Sequence, residues 1–63
     1  MTITIIHQQD GMNYTPKVCT IQNGQTHKEI LATLRGVDGL IEPGFTYFGC
    51  DLKTNKFYYR RGV

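Results

Sequence analysis

One stretch, THKEILATLRGVDGLI beginning at Thr26, constrains the fold most, because it carries the strongest helix signal in the chain. Thr26 followed by Glu29 has the form of a capping box, in which each side chain binds the other residue's backbone N–H. Arg35 would then meet the negative end of the helix dipole. Gly36 is expected just past the helix end, in a left-handed conformation. The pattern predicts a helix from Thr26 to Arg35.

This helix carries one narrow apolar stripe. Ile30, Leu31, Leu34 and Val37 recur at helical spacing. Such a stripe has to be buried against another element, and the segments on both sides of it are rich in β-forming residues. We therefore expect the helix to pack on a sheet.

The segment before the helix begins with a strand and a tight turn. TITII alternates Thr with Ile, which places Ile3 and Ile5 on one face, and His7 continues that face. Asp10-Gly11 is a strong turn signal between two extended runs. The simplest register pairs Gln9 with the residue after this turn, Met12.

The second strand is expected to run from Met12 to about Gln22. Pro16 interrupts it, and a proline has no N–H to donate to a strand ladder. The strand is therefore predicted to lie at an edge of the sheet or to be bulged at Pro16.

The segment after the helix predicts a second hairpin. Glu42-Pro43-Gly44-Phe45 has the residues of a type II turn. Strands over Thr46–Leu52 and Phe57–Arg61 follow, and Asn55 in the connection suits a left-handed turn position. Strict alternation points three side chains of the first strand toward the core and leaves Tyr47 on the opposite face. These three are Phe48, Cys50 and Leu52.

The element order β-β-α-β-β predicts an α+β fold. We expect a small antiparallel sheet of about four strands with one helix packed on one face, in a single compact domain over residues 1–63. The strand order stays open. A chain of 63 residues has a small core, so help from a partner is expected, and an edge strand makes a homodimer a further expectation.

Composition favours a soluble cytoplasmic protein. The N-terminal apolar run is too short for a signal peptide or a membrane span, so no membrane partner is expected. Cys19 and Cys50 are then expected as reduced core thiols. Together with His7 and His27 they lack the closely spaced ligand pairs of a zinc site. The sequence predicts no metal and no cofactor.

No catalytic signature is visible, and the protein is predicted not to be an enzyme. A small nuclease is the residual alternative, since such enzymes use a histidine, a carboxylate and an arginine. Its candidate residues are His7, His27, Glu29, Arg60 and Arg61. No spacing among them favours catalysis over chance, and Glu29 already has a role in the capping box.

The last hairpin is the predicted binding surface. Residues 51–63 contain four of the seven Lys and Arg residues but only one of the five acidic residues. Aromatic residues lie among these charges, and tyrosine and arginine are enriched at interface hot spots. The predicted partner-binding residues are Tyr47, Lys53, Lys56, Tyr58, Arg60 and Arg61.

Two partner classes fit this hairpin. The leading hypothesis is a small interaction protein that binds and modulates a larger protein, with inhibition as the expected form of modulation. In size and layout the chain resembles the compact accessory proteins that viruses and mobile elements use to inhibit host enzymes, although no motif carries this resemblance. The alternative is a module for single-stranded RNA or DNA, which basic and aromatic side chains on a strand surface can hold.

Overall fold

The computed structural model describes residues 1–62, which form one helix and five strands. In chain order these are β1 (Thr2–Gln9), β2 (Met12–Asn13), β3 (Lys17–Thr20), α1 (His27–Gly36), β4 (Thr46–Asp51) and β5 (Lys56–Arg61). The predicted α+β class is confirmed.

The strands form one mixed sheet with β1 inside it. β2 and β3 both pair antiparallel along one side of β1, and β5 pairs parallel along the other side. β4 pairs antiparallel with β5 at the far edge. The sheet therefore differs from the antiparallel one expected. The long connection through α1 returns the chain so that β5 runs in the same direction as β1.

The first hairpin forms as predicted. Gln9 pairs with Met12 across the turn, and Asp10 and Gly11 both have positive φ, 54° and 76°, as a type I′ turn requires. The expected second strand is divided into β2 and β3, with Pro16 in the gap. Both pieces lie at the edge of the sheet, as the proline predicts.

The helix begins as predicted but ends differently. Thr26 is the N-cap, and both hydrogen bonds of its capping box with Glu29 are present. Gly36 is the last helical residue and is not left-handed, which corrects the prediction. Val37 caps the helix with extended backbone, and Gly39 takes the positive φ instead. The left-handed residue thus lies three positions beyond the expected one.

The core lies between α1 and one face of the sheet. Ile30 and Leu34 of the predicted stripe are buried, whereas Leu31 is half-buried and Val37 is 40% exposed. They meet buried side chains from β1, β5 and the loops, among them Ile3, Ile5, Phe57, Tyr59, Leu40 and Phe45. Cys19 and Cys50 are free thiols packed at the margin of this core.

The second hairpin contains a β-bulge that overturns part of the predicted alternation. Tyr47 pairs with Tyr59, but the next pair is Gly49 with Tyr58, so Phe48 is the extra residue. The bulge turns Tyr47 toward the helix side, where Cys50 also lies.

Two inward assignments are therefore wrong. Phe48 is 60% exposed because it occupies the bulge, and Leu52 is 64% exposed because it lies in the turn after β4. Cys50 does face the core margin. The other two turn predictions hold. Phe45 N–H donates to the Glu42 carbonyl with Gly44 at φ 85°, and Asn55 has φ 55°.

Candidate functional site

The sheet face opposite α1 is the candidate site, and we call it the open face. Register places on it the side chains that share a side with Ile6 of β1. Val18 comes from β3, and Tyr58 and Arg60 come from β5. Phe48 joins them through the bulge. Apolar and aromatic groups thus meet a cation on a surface that no helix covers among residues 1–62.

Ile6 shows that this face has an apolar centre of its own. It is only 9% exposed, yet it does not belong to the core cluster under α1. Its register partner on β5 is Tyr58, whose side chain lies on the same face of the sheet. Around this centre, Val18 is 65% exposed and Phe48 is 60% exposed.

Arg60 is held in place by an aromatic ring and a glutamine. Its guanidinium carbon lies 3.7 Å from the centroid of the Phe48 ring, a cation–π contact. Its Nε donates to Gln8 Oε1 at 3.0 Å, and Gln8 Nε2 donates to Asn13 Oδ1 at 3.0 Å. This chain of contacts joins four strands, β4, β5, β1 and β2, and fixes the position of the charge on the open face.

The structure divides the predicted partner-binding residues between two faces and a turn. Lys56, Tyr58 and Arg60 share register with Thr4, Ile6 and Gln8 and lie on the open face. Lys53 lies in the turn, where its N–H donates to Asp51 Oδ1 at 3.0 Å. Tyr47 and Arg61 lie on the helix side. The six residues therefore do not form one surface.

Arg61 has a structural environment. Its Nε and Nη2 donate to Gln9 Oε1 at 3.2 and 2.7 Å, and its Nη1 donates to the Pro43 carbonyl at 3.2 Å. Its guanidinium also lies 4.7 Å from the Phe45 ring centroid. These contacts tie β5 to β1 and to the type II turn.

Ile6, Val18 and Phe48 were not identified from the sequence as residues of the open face. The Ile5-Ile6 doublet was the available signal for β1, because adjacent buried isoleucines require both faces of a strand to be covered. Phe48 carried no comparable signal, because nothing in the TYFGCD run marks the extra residue except Gly49.

A second cluster lies on the helix side at the start of α1. Tyr47 Oη is 3.2 Å from His27 Nε2, and Cys50 Sγ is 4.0 Å from His27 Nδ1. The His27 ring stacks on Phe57, with the ring planes 21° apart. Burial, with smaller effects from Cys50 and Tyr59, raises the pKa of Tyr47 to about 12, so its hydroxyl stays protonated at neutral pH.

The residues considered for nuclease chemistry do not form one cluster. His7 and Arg61 line the same cavity, whereas His27 and Glu29 lie at the start of α1. His7 is buried at 2% exposure, and its Nε2 accepts the Glu42 backbone N–H at 3.0 Å. Glu29 is engaged in the capping box, and His27 lies beside Cys50. Within residues 1–62, neither histidine hydrogen-bonds a carboxylate. The absence of enzymatic activity stays a prediction.

The described part of the chain has no group of three or more His, Cys, Asp or Glu side chains arranged to hold a metal ion. Its helix is neither long nor apolar enough to span a membrane.

Comparison with known proteins gives no relative. No protein-family model matches the chain, and neither a curated protein nor a solved structure shows significant similarity to it. Any functional argument therefore has to come from the residues themselves.

Proposed function

We propose that this protein binds a larger protein through the open face and modulates, most simply inhibits, its activity. The observation that carries the proposal is Arg60 stacked on the exposed Phe48 beside the apolar centre at Ile6. Aromatic residues and arginine are the groups that dominate interface energetics when a partner removes them from water. Their positions are fixed by the sheet, so little ordering is required on binding.

The charges on this face favour a protein over a nucleic acid. Lys56 pairs in register with Asp51, so an acid lies beside one of the two cations. Arg61, which would extend a basic track, lies on the other face, where three of its five N–H groups donate to Gln9 and to the Pro43 carbonyl. A nucleic-acid groove needs successive cations along the backbone path. A partner surface with an apolar side chain flanked by a carboxylate fits better.

The same charges argue against self-association through this face. Two copies meeting face to face would bring Arg60 and Lys56 toward their own counterparts. Edge pairing is also weakened, because Pro16 interrupts one edge and the bulge at Phe48 distorts the other. We therefore expect a different protein as partner, and a sedimentation mass of one chain at micromolar concentration.

The test compares the wild type with Tyr58→Ala/Arg60→Ala in affinity capture from native cells. Captured proteins are identified and then titrated in purified form. The matched control is Arg35→Ala/Val37→Ala, which removes an exposed cation and an exposed apolar group at the end of α1. We expect the open-face variant to lose the partner and the control to keep it.

The proposal fails if the folded open-face variant binds every partner as the wild type does. Binding of mixed oligonucleotides with a steep salt dependence would support the nucleic-acid alternative instead. An affinity for a purified protein that changes little between low and moderate salt would exclude that alternative for the interaction measured.

A further inference from the structure

The Tyr47–His27–Cys50 cluster has the layout of an activated thiol. A nucleophilic thiol, an imidazole in reach of it and a third group that orients the imidazole are the components that such chemistry requires. Here the thiol sulfur is 4.0 Å from His27 Nδ1, and the phenol oxygen is 3.2 Å from the opposite ring nitrogen, Nε2. The thiol and the phenol thus lie at the two nitrogens of one imidazole ring.

The fold fixes the orientation of this imidazole. His27 is the first residue of α1, and the preceding Thr26 is held by its capping box. The His27 ring is stacked on the fully buried Phe57, with 6.0 Å between centroids. Tyr47 reaches the ring only because the bulge after it reverses the alternation of β4. Three elements therefore converge on this ring.

The cluster is accessible to small molecules. Cys50 is half-buried, His27 is exposed, and Tyr47 is 37% exposed. Cys19 offers a contrast within the same chain. It is also a half-buried free thiol, but its Sγ donates to the Thr20 carbonyl at 3.8 Å. A carbonyl oxygen of the backbone is no proton acceptor for thiol ionisation.

We infer that Cys50 is a modification site that exchanges with small disulfides, and that His27 is its general base. The Nδ1 atom takes the thiol proton while Nε2–H donates to the Tyr47 oxygen. The Cys50 sulfur then attacks one sulfur of the disulfide, a new S–S bond forms, and the original S–S bond breaks. The departing sulfur is reduced and takes the proton back from His27. The formal oxidation state of the departing sulfur falls by one as that of the Cys50 sulfur rises by one, and the attacked sulfur is unchanged.

This inference is independent of the proposed function, because the cluster lies on the helix side and the proposed partner surface lies on the open face. A negative result for Cys50 modification would leave the proposed partner binding unaffected, and the reverse also holds. The mixed disulfide would place a bulky group against Tyr47 at the edge strand β4, and so give the protein a redox-dependent surface.

The experiment measures adduct formation by oxidised glutathione at each cysteine. Trypsin separates the two thiols, because Cys19 falls in the peptide 18–28 and Cys50 in the peptide 36–53. Mass spectrometry of the unreduced peptides then gives the rate of adduct formation at each cysteine from one sample. In the folded wild type we expect Cys50 to react about tenfold faster than Cys19, a modest effect for a positioned base. In urea the two rates should converge.

His27→Gln and Tyr47→Phe identify the cause. Glutamine keeps the hydrogen-bonding capacity of position 27 but cannot act as a base near neutral pH, so the Cys50 rate should fall to that of Cys19. Tyr47→Phe keeps the ring and should cause a smaller loss. An unchanged Cys19 rate in each variant shows that the fold is intact. Equal rates in the folded wild type, a preference that persists in urea, or an unchanged Cys50 rate in His27→Gln would each overturn the inference.

Discussion

His7 Nε2 accepts the backbone N–H of Glu42 at 3.0 Å, inside the core. An accepting Nε2 requires the neutral imidazole, because the protonated ring has donors only. Burial lowers the pKa of His7 below its ordinary 6.5, the Lys17 charge lowers it further, and the Glu42 carboxylate opposes both. The fold therefore selects the neutral form.

Because the folded protein requires a neutral His7, we expect acid to destabilise it at pH values above those at which carboxylates titrate. The unfolded chain binds a proton at His7 near pH 6.5 and the folded chain does so only at lower pH, so folding stability falls as pH drops below 6.5. Urea unfolding at about pH 7.5 and about pH 5.5 measures the change, since unperturbed carboxyl groups titrate lower. The slope should vanish in His7→Gln. If the pH dependence persists in His7→Gln, it arises from another titrating group.

Gly44→Ala should be destabilising for two reasons. Gly44 has φ +85°, and a Cβ added there would lie 2.9 Å from Arg61 Cδ. We expect a loss of about 1–3 kcal/mol in unfolding free energy, the range typical of strained backbone positions. Gly24→Ala is the matched control, with φ +83° and nothing within 4 Å of the added carbon. The two variants should differ by the cost of displacing Arg61. Equal losses would mean that Arg61 moves freely.

Gly36→Ala should increase the unfolding free energy, in contrast to Gly44→Ala. Gly36 lies within α1 without a positive φ, and an added Cβ meets nothing within 4 Å. Alanine restricts the unfolded chain and favours the helix, so we expect a gain of about 0.5–1 kcal/mol. Thermal unfolding followed by circular dichroism provides the measurement. A loss of stability would instead indicate that Gly36 has the left-handed conformation that the sequence predicted.

Two leucines test the observed division between core and surface. Leu34 is fully buried, whereas Leu52 is 64% exposed despite its predicted inward position. Leu34→Ala should lower the unfolding free energy by about 2–5 kcal/mol, as cavity-forming substitutions do. Leu52→Ala should change it by about 0.5 kcal/mol or less. A large loss at Leu52 would contradict its placement in the turn.

Local signals in this sequence predicted local structure well. The capping box at Thr26, the turn at Asp10-Gly11 and the left-handed Asn55 all depend on neighbouring residues only, and the structure contains each of them. The buried face of β1 followed from simple alternation, which the burial of Ile3 and Ile5 confirms.

The predictions that were wrong concern pairing and contacts between segments that are distant in the sequence. The parallel pairing of β1 with β5 has no signature in either strand, because it is set by how the chain crosses the sheet. The bulge at Phe48 is defined by β5 as much as by β4, and one inserted residue changes which side chains face the helix. The Cys50–His27 contact depends on that bulge and on the helix position, so spacing alone could not place the two residues together.

The parallel pairing of β1 and β5 has a consequence for folding. Phe57 and Tyr59, which complete the core, lie on β5. Their partners Ile5 and His7 lie on the first strand. Such long-range pairing slows folding, because the intervening loop has to close before any contact is made. The core therefore stays incomplete until β5 pairs with β1, and we expect the closure of this long-range pairing to limit the folding rate.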